Sequence, residues 1–210
     1  MSPILNSDYT FVITGATGWI GHAVAQILYQ HLGVQFNARV IVLSNSVSSI
    51  TLQNNIVVQC VPFNEIEYFP RNKKYVLFHF AFLTKDKVSQ MSVSDYIEKN
   101  LAIRKTISNF IEKVDIECLV YASSGAVYGK DNILCKDFKK NPYGALKVQD
   151  ESHFTNLIAS KNNARIIIPR IFNIGGSYIN KWQNYALSSF IIQALTKGKI
   201  VINARHEVVR

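Results

Sequence analysis

The chain has 210 residues, of which 48% are hydrophobic and 18% are charged, and its formal net charge is +9. This composition excludes a chain that is disordered throughout, and the length suits one large domain or one domain with part of a second. The positive charge favours an anionic partner, which could be a nucleotide, a nucleotide sugar, a nucleic acid or an acidic membrane surface, and charge alone does not choose among them. The basic residues are scattered, so no nucleic-acid partner is expected.

The cysteines and the hydropathy of the chain indicate its compartment. The three cysteines form no CxxC pair, and the first ten residues show no signal-peptide pattern. No run reaches the ~18 apolar residues of a membrane-spanning helix. We therefore expect a cytoplasmic protein without a membrane span. We also expect no bound metal, because no His/Cys cluster has the spacing of metal ligands.

Short apolar runs alternate along the chain with segments of helical period. This alternation predicts an α/β fold with a parallel sheet and helices on both faces. The strands are expected at residues 9–14, 39–43, 56–61, 75–80, 118–122 and 164–171, with a short last strand at 200–203. The helices, which are indicated by apolar residues at steps of three and four, are expected at residues 20–32, 97–114, 143–160 and 185–196.

A glycine-rich turn joins the first predicted strand to the first predicted helix. Residues 14–21 read TGATGWIG, with glycines at 15, 18 and 21. The first glycine permits a tight bend, the second lets a pyrophosphate approach the backbone, and the third allows close packing of helix on strand. The helix amino terminus then faces the anion with free N–H groups. The turn in this context predicts a Rossmann-type, doubly wound dinucleotide-binding fold.

The residues after the second strand bear on the choice between NAD and NADP. An acidic residue that binds the adenosine ribose is expected about twenty residues beyond the glycines. Ser44, Asn45 and Ser46 lie there instead. No carboxylate repels a 2′-phosphate and no arginine or lysine clamps one. Both NAD and NADP therefore remain open, with Ser44 as the candidate ribose contact.

Three further residues form a candidate reactive group. Tyr143 and Lys147 are four residues apart at the start of a predicted helix capped by Asn141 and Pro142, which places both on one face. A nearby ammonium would lower the phenol pKa from about 10, so that Tyr143 exchanges a proton with an alcohol while a hydride moves. Ser124 lies at the carboxyl end of the fifth predicted strand, where open parallel sheets bind their ligands. Its hydroxyl can orient the reacting oxygen.

A series of segments in fixed order supports this hypothesis. They are TGATGWIG at residues 14–21, FHFA at 78–81, Asn100, YASSGAVYG at 121–129, NPYGALK at 141–147 and RIFN at 170–173. In this order they resemble the extended short-chain dehydrogenase/reductases, and more narrowly the NAD-dependent epimerase/dehydratase family, which acts on nucleotide sugars. The resemblance extends from residue 9 to the last residue.

The resemblance implies a role for each matching position. The residues around the cofactor would be Gly15, Thr17, Gly18, Trp19, Ile20, Gly21 and Ala81. Tyr143 would be the catalytic acid/base and would contact both cofactor and substrate, with Lys147 tuning it and holding the nicotinamide ribose. Ser124 would be the third catalytic residue and would contact substrate. Asn173 and Arg210 would bind the substrate diphosphate. Family enzymes often dimerise through the long helix and the helix with Tyr143, so a homodimer is possible.

Two departures from the family pattern limit what is expected. Gly125 and Ala126 stand where the 4,6-dehydratases carry an Asp-Glu pair, so elimination of water is disfavoured. Relatives typically continue well beyond 210 residues, so the chain is expected to be truncated. We predict an NAD(P)-binding Rossmann domain at residues 1–174 and a partial C-terminal substrate-binding region at 175–210.

Two functions follow from these observations. The first is a nucleotide-sugar epimerase or reductase that uses tightly bound NAD or NADP, with proton transfer by Tyr143 and hydride transfer at a sugar carbon. The alternative is a truncated, non-catalytic NAD(P)-binding protein with a sensing or regulatory role.

Overall fold

The computed structural model describes residues 8–129, 133–179, 182 and 185–202. The strands are β1 (Thr10–Thr14), β2 (Val40–Ser44), β3 (Ser48–Thr51), β4 (Val57–Pro62), β5 (Lys74–His79), β6 (Asp115–Tyr121), β7 (Ser123–Ser124), β8 (Arg165–Ile167) and β9 (Arg170–Ile171). The α-helices are α1 (Trp19–Leu32), α2 (Phe36–Arg39), α3 (Val93–Lys113), α4 (Pro142–Ala159) and α5 (Ala186–Lys197).

Seven of the described strands form one sheet in the order β3-β4-β2-β1-β5-β6-β8. Neighbouring strands are parallel except for β3, which pairs antiparallel to β4. The chain moves outward from β1 through β2 to the edge strand β3, returns to β4 and then crosses to β5 on the other side of β1. Open α/β sheets bind ligands at the carboxyl ends of the strands where the order reverses in this way. The predicted Rossmann-type fold is confirmed, and the switch point lies between β1 and β5.

Apolar cores lie on both faces of this sheet. Along β1, Phe11 and Ile13 belong to the core that also contains Ala25 and Leu28 of α1. Val12, between them in sequence, belongs to the core with α3 and α4, because successive side chains of a strand point to opposite faces. The second core also holds fully buried aromatic rings, among them Phe154 of α4. Truncation of such a ring to alanine typically costs about 3–5 kcal/mol.

The structure corrects two predicted strands. The strand expected at residues 164–171 is divided: β8 pairs with β6 in the main sheet, whereas β9 pairs with β7 in a separate two-stranded sheet. Pro169 lies between them and has no N–H to continue a ladder. Residues 200–202 form no strand. The N–H of Val201 donates to the Gln193 side chain instead, and Asn203 lies outside the described residues.

Strand β3 was not predicted from the sequence. In β3 only Ile50 is buried, so this short polar segment at the sheet edge lacks the apolar run that marks the other strands. No helix in the described part of the chain is both long and apolar enough to cross a membrane.

Candidate active site

The turn between β1 and α1 contains backbone contacts that only glycine permits. Gly15 has a φ of +69°, and a Cβ there would lie 2.8 Å from the amide nitrogen of Ala81. A Cβ on Gly21 would collide with the Gly15 carbonyl oxygen. Gly18 is the N-cap residue of α1 and donates its N–H to that same oxygen at 3.0 Å. The backbone therefore makes the tight bend that the sequence predicts.

The amino terminus of α1 is suited to an anion. Gly18 has no side chain to cap the helix, and the first turn carries no acidic residue. The first N–H groups of a helix have no partner within it and lie at the positive end of its dipole. These groups, together with the bare glycine backbone beside them, fit the pyrophosphate of a dinucleotide.

Thr14 ties this turn to the neighbouring strand. Its hydroxyl oxygen accepts hydrogen bonds from the N–H groups of Phe80 and Ala81, both at 3.1 Å. The same oxygen lies 2.8 Å from Nδ1 of His79. His79 is buried, and desolvation together with the charge of Lys147 lowers its pKa to about 3, so its ring is neutral at pH 7. A neutral ring can accept a hydrogen bond from the Thr14 hydroxyl at Nδ1, and this contact joins the ends of β1 and β5.

A cavity of about 680 Å³ opens at the switch point. One wall is the glycine turn, including Trp19 and Ile20 of α1. The opposite wall contains Ser124, Tyr143 and Lys147. Residues that the sequence separates by more than a hundred positions are thus brought to one cavity.

The start of α4 is anchored to the turn that follows Ser124. Asn141 accepts a hydrogen bond from the N–H of Gly144 at 2.9 Å, which caps the helix, and Pro142 occupies the first turn. The Asn141 side-chain amide also donates to the Ala126 carbonyl oxygen at 3.0 Å. The predicted cap is confirmed. Because it is bonded to the Ser124 turn, it sets Tyr143 beside Ser124.

The pKa of Tyr143 is raised, whereas the sequence predicts that it is lowered. Burial of the phenol raises its pKa, and the neighbouring Tyr185 also raises it. A side-chain hydrogen bond with Ser124 lowers it, but burial dominates. The phenol is therefore protonated near neutral pH. Lys147 is not among the groups that shift the pKa of Tyr143, so the expected lowering is not found.

Lys147 is buried and donates a hydrogen bond from Nζ to the Ala122 carbonyl oxygen at 2.7 Å. Burial lowers its pKa to about 7, and the carboxylates of Asp150 and Glu151 act against that effect. Near neutral pH, Lys147 therefore exists in both charged and neutral forms.

The comparison with known proteins identifies the family. Residues 11–210 match the model of the NAD dependent epimerase/dehydratase family. The chain belongs to this family. Among similar curated proteins, a UDP-glucose 4-epimerase of Cyamopsis tetragonoloba is 28% identical over 200 residues, which cover 85% of this chain and 55% of that protein. A UDP-glucose 4-epimerase of Dictyostelium discoideum is 29% identical over 196 residues, with the same shares covered.

Solved structures of other epimerases share the fold. The complex of UDP-glucuronic acid 4-epimerase from Bacillus cereus with UDP-glucuronic acid and NAD gives a TM-score of 0.63 at 17% identity, covering 89% of this chain and 63% of that one. A UDP-galactose 4-epimerase structure gives 0.63 at 19% identity, covering 91% and 64%. The chain spans about half the length of the curated epimerases it matches.

The other positions that the family resemblance singled out lie in varied surroundings. Ala81 packs against Gly15 through its backbone. Thr17 is exposed and is not among the described residues that line the cavity. Asn173 is also exposed, between the cavity-lining Phe172 and Ile174. Arg210 lies outside the described residues.

Ser44 is held within the turn between β2 and β3. Its hydroxyl donates to the Ser46 carbonyl oxygen at 2.5 Å and lies 2.8 Å from the Ser48 hydroxyl. The side chain is buried, and among the described residues it is not part of the cavity lining. A ribose contact by this hydroxyl would have to replace one of these hydrogen bonds.

The glycine at position 125, which departs from the dehydratase pattern, has a structural reason. A Cβ at Gly125 would collide with the Phe172 ring, which lines the cavity. Phe172 in turn stacks on Tyr128, with ring centroids 5.9 Å apart. A carboxylate side chain at position 125 would therefore require the Phe172 ring to move.

Ion pairs behind the cavity, which sequence reasoning missed, hold α4 in place. Arg104 of α3 lies 2.7 Å from the Asp150 carboxylate, which also accepts from the Tyr121 hydroxyl at 2.8 Å. Arg170 makes two hydrogen bonds with Glu151, at 2.9 and 2.6 Å. A more open groove of about 790 Å³ passes this second pair but contains none of the reactive candidates. These contacts join residues far apart in sequence, so no spacing signals them.

Proposed function

We propose that this chain forms the cofactor-binding and catalytic part of an NAD-dependent nucleotide-sugar epimerase that acts on UDP-sugars. The observation that carries the proposal is the single cavity that joins the glycine turn to Ser124, Tyr143 and Lys147. Membership of the epimerase/dehydratase family and similarity to UDP-glucose 4-epimerases support the choice of reaction.

The residues present fit a dinucleotide. The glycine turn and the amino terminus of α1 would hold the pyrophosphate, and Lys147 would bind the nicotinamide ribose. NAD, when bound, supplies an acceptor for a hydride from a sugar carbon and a donor that returns it. Neither a carboxylate nor a cationic side chain occupies residues 44–46, so selection between NAD and NADP would fall to other contacts.

Tyr143 is the proposed proton carrier. As the phenolate, Tyr143 would take the proton of the sugar hydroxyl, and the phenol so formed would give it back, while Ser124 orients the reacting oxygen by a hydrogen bond. Burial keeps the phenol protonated, so a positive charge must come close before it can lose that proton to solvent and act as the base. Lys147, one helical turn further along the same face of α4, would supply that charge after it leaves the Ala122 carbonyl oxygen.

We also propose how the chain binds the diphosphate of the substrate, how it is divided into domains and how it dimerises. Asn173 and Arg210 would bind the diphosphate of the nucleotide sugar, and residues 175–210 would begin a substrate-binding region after the Rossmann domain at 1–174. A homodimer would form through α3 and α4, in the cytoplasm. A molecular mass in solution equal to that of one chain would contradict the homodimer.

The substitution Tyr143→Phe tests the proposed chemistry. Loss of a general acid/base lowers turnover by about 10²–10⁴-fold, and we expect a loss in this range with NAD binding retained. The assay measures turnover of UDP-, dTDP-, CDP- and GDP-sugars. The control is Tyr68→Phe, since Tyr68 is 83% exposed and lies outside the cavity lining.

Full turnover by Tyr143→Phe would overturn the assignment of Tyr143. Saturable cofactor binding without turnover of any of these sugars, both by this chain and by a chain as long as its relatives, would favour the non-catalytic NAD(P)-binding protein instead.

A further inference from the structure

Phe82 lies between the two reactive residues of α4. It follows Ala81 in the segment after β5, is half-buried and lines the cavity. The face of its ring covers the Lys147 ammonium, with Nζ 3.8 Å from the ring centroid. Its ring also meets the ring of Tyr143 edge to face, with centroids 5.6 Å apart and an interplanar angle of 81°. One aromatic side chain therefore contacts both members of the reactive pair.

A second aromatic ring covers the same ammonium. The centroid of Tyr121 lies 4.6 Å from Nζ of Lys147. Tyr121 is fully buried on β6, and its hydroxyl donates to Asp150 at 2.8 Å. The ammonium is thus held between two ring faces while it donates to the Ala122 carbonyl oxygen. The negative face of an aromatic ring attracts a cation, most strongly where water is excluded.

The charged groups around Lys147 are themselves occupied. Asp150 is paired with Arg104, and Glu151 is paired with Arg170. His79, on β5, is neutral, and Tyr143 is protonated. No carboxylate is dedicated to Lys147 among these groups, so the ring faces offset part of the desolvation of the ammonium.

We propose that Phe82 is a positioning residue: the face of its ring keeps the Lys147 ammonium charged at the cavity, and its contact with Tyr143 orients the phenol. The inference rests on the proposed function for the roles of Lys147 and Tyr143. Its physical basis, the effect of the ring on the charge of Lys147, is measurable in the protein without cofactor or substrate.

The direct test is the pKa of Lys147 in Phe82→Leu, measured by NMR titration of isotope-labelled lysine side chains. Leucine keeps an apolar contact with Tyr143 but has no ring face for the cation. We expect the pKa of Lys147 to fall by about one unit, which corresponds to the usual strength of such a contact at a partly desolvated site. Phe82→Tyr keeps the ring face and should restore the wild-type value.

The matched control is Phe78→Leu. Phe78 is also a half-buried phenylalanine, but it lies within β5 and packs into the core on the α1 face of the sheet. We expect this variant to leave the pKa of Lys147 unchanged. An unchanged pKa in folded Phe82→Leu, or an equal fall in Phe78→Leu, would overturn the proposal.

If Phe82→Leu fails to fold, trifluorophenylalanine at position 82 decides the question. Fluorination keeps the shape of the ring and weakens its negative face, so the pKa of Lys147 should fall without a change in packing. An unchanged pKa would overturn the role of the ring.

A titration with NAD separates this inference from the proposed function. In Phe82→Leu we expect NAD binding to weaken more at pH 8 than at pH 6, because the charge of Lys147 is lost at lower pH than in the wild type. If the wild type binds no NAD at either pH, the proposed function fails, whereas the Lys147 titration still decides the role of Phe82.

Discussion

The two walls of the cavity are built from different parts of the polypeptide. After β1, the wall is backbone: glycines bend the chain, and helix N–H groups face the cavity. After β7, the wall consists of side chains: Ser124, Tyr143 and Lys147, supported by Phe82 and by ion pairs behind α4. A backbone site depends on local sterics, whereas a side-chain site depends on what the rest of the fold packs around it. The two walls should therefore fail in different ways when single residues are changed.

The largest loss of stability is expected behind the side-chain wall. Arg104→Met removes the partner of Asp150, whose side chain is only 3% exposed, and leaves an uncompensated buried carboxylate. Breaking a buried ion pair in this way typically costs about 3–5 kcal/mol of stability. We expect the free energy of unfolding, measured by urea unfolding, to fall by this amount.

Lys140→Met is the matched control for this change. It removes a cation from an ion pair whose side chains are 86% and 46% exposed. Such exposed pairs contribute about 0–1 kcal/mol. Equal losses for the two variants would mean that burial does not distinguish these ion pairs.

A loss of stability is also expected when a glycine of the backbone wall is replaced. Gly15→Ala combines a positive φ with a collision against Ala81, whereas Gly33→Ala has a positive φ but no atom within 4 Å of its Cβ. The unfavourable backbone conformation alone costs about 1–3 kcal/mol, and overpacking adds roughly 1–3 kcal/mol at position 15. Thermal unfolding measures both, and calorimetry should show that only Gly15→Ala loses NAD binding. Equal behaviour of the two variants would contradict the close packing of the turn.

The pH dependence of stability gives the most specific effect. Burial lowers the pKa of Lys147 to about 7, from 10.5 in the unfolded chain. Between these values the unfolded state binds more protons, so the free energy of unfolding rises with pH. Lys147→Met removes this contribution, so its stability relative to the wild type should be greatest below pH 7 and should decline toward pH 10. A constant difference across this range would contradict a buried, titrating Lys147.

The backbone wall was largely predictable from the sequence. The spacing of Gly15, Gly18 and Gly21 between a strand and a helix defines the turn, because only glycine satisfies its φ angle and close approaches. The spacing of Tyr143 and Lys147 and the cap at Asn141 also placed the reactive pair on the correct helix. All of these features depend on residues that are close together in the sequence.

The environment of the side-chain wall was not predictable in this way. The contact of Phe82 with Lys147 and the pair of Arg104 with Asp150 join different elements, and no sequence spacing encodes them. The direction of the Tyr143 pKa was wrong for the same reason: it depends on burial, which the fold decides. Pro169 divides residues 164–171 into strands of two sheets, although the sequence predicts one strand there.

The most direct test of the account is a calorimetric titration of the folded chain with NAD, combined with its thermal unfolding. The account predicts saturable binding to the wild type that raises the Tm; NAD at 100 times its Kd stabilises a folded state by about 2.7 kcal/mol. Gly15→Ala should show neither effect. A wild-type chain that is folded but binds no NAD would contradict the assignment of the cavity as a dinucleotide site.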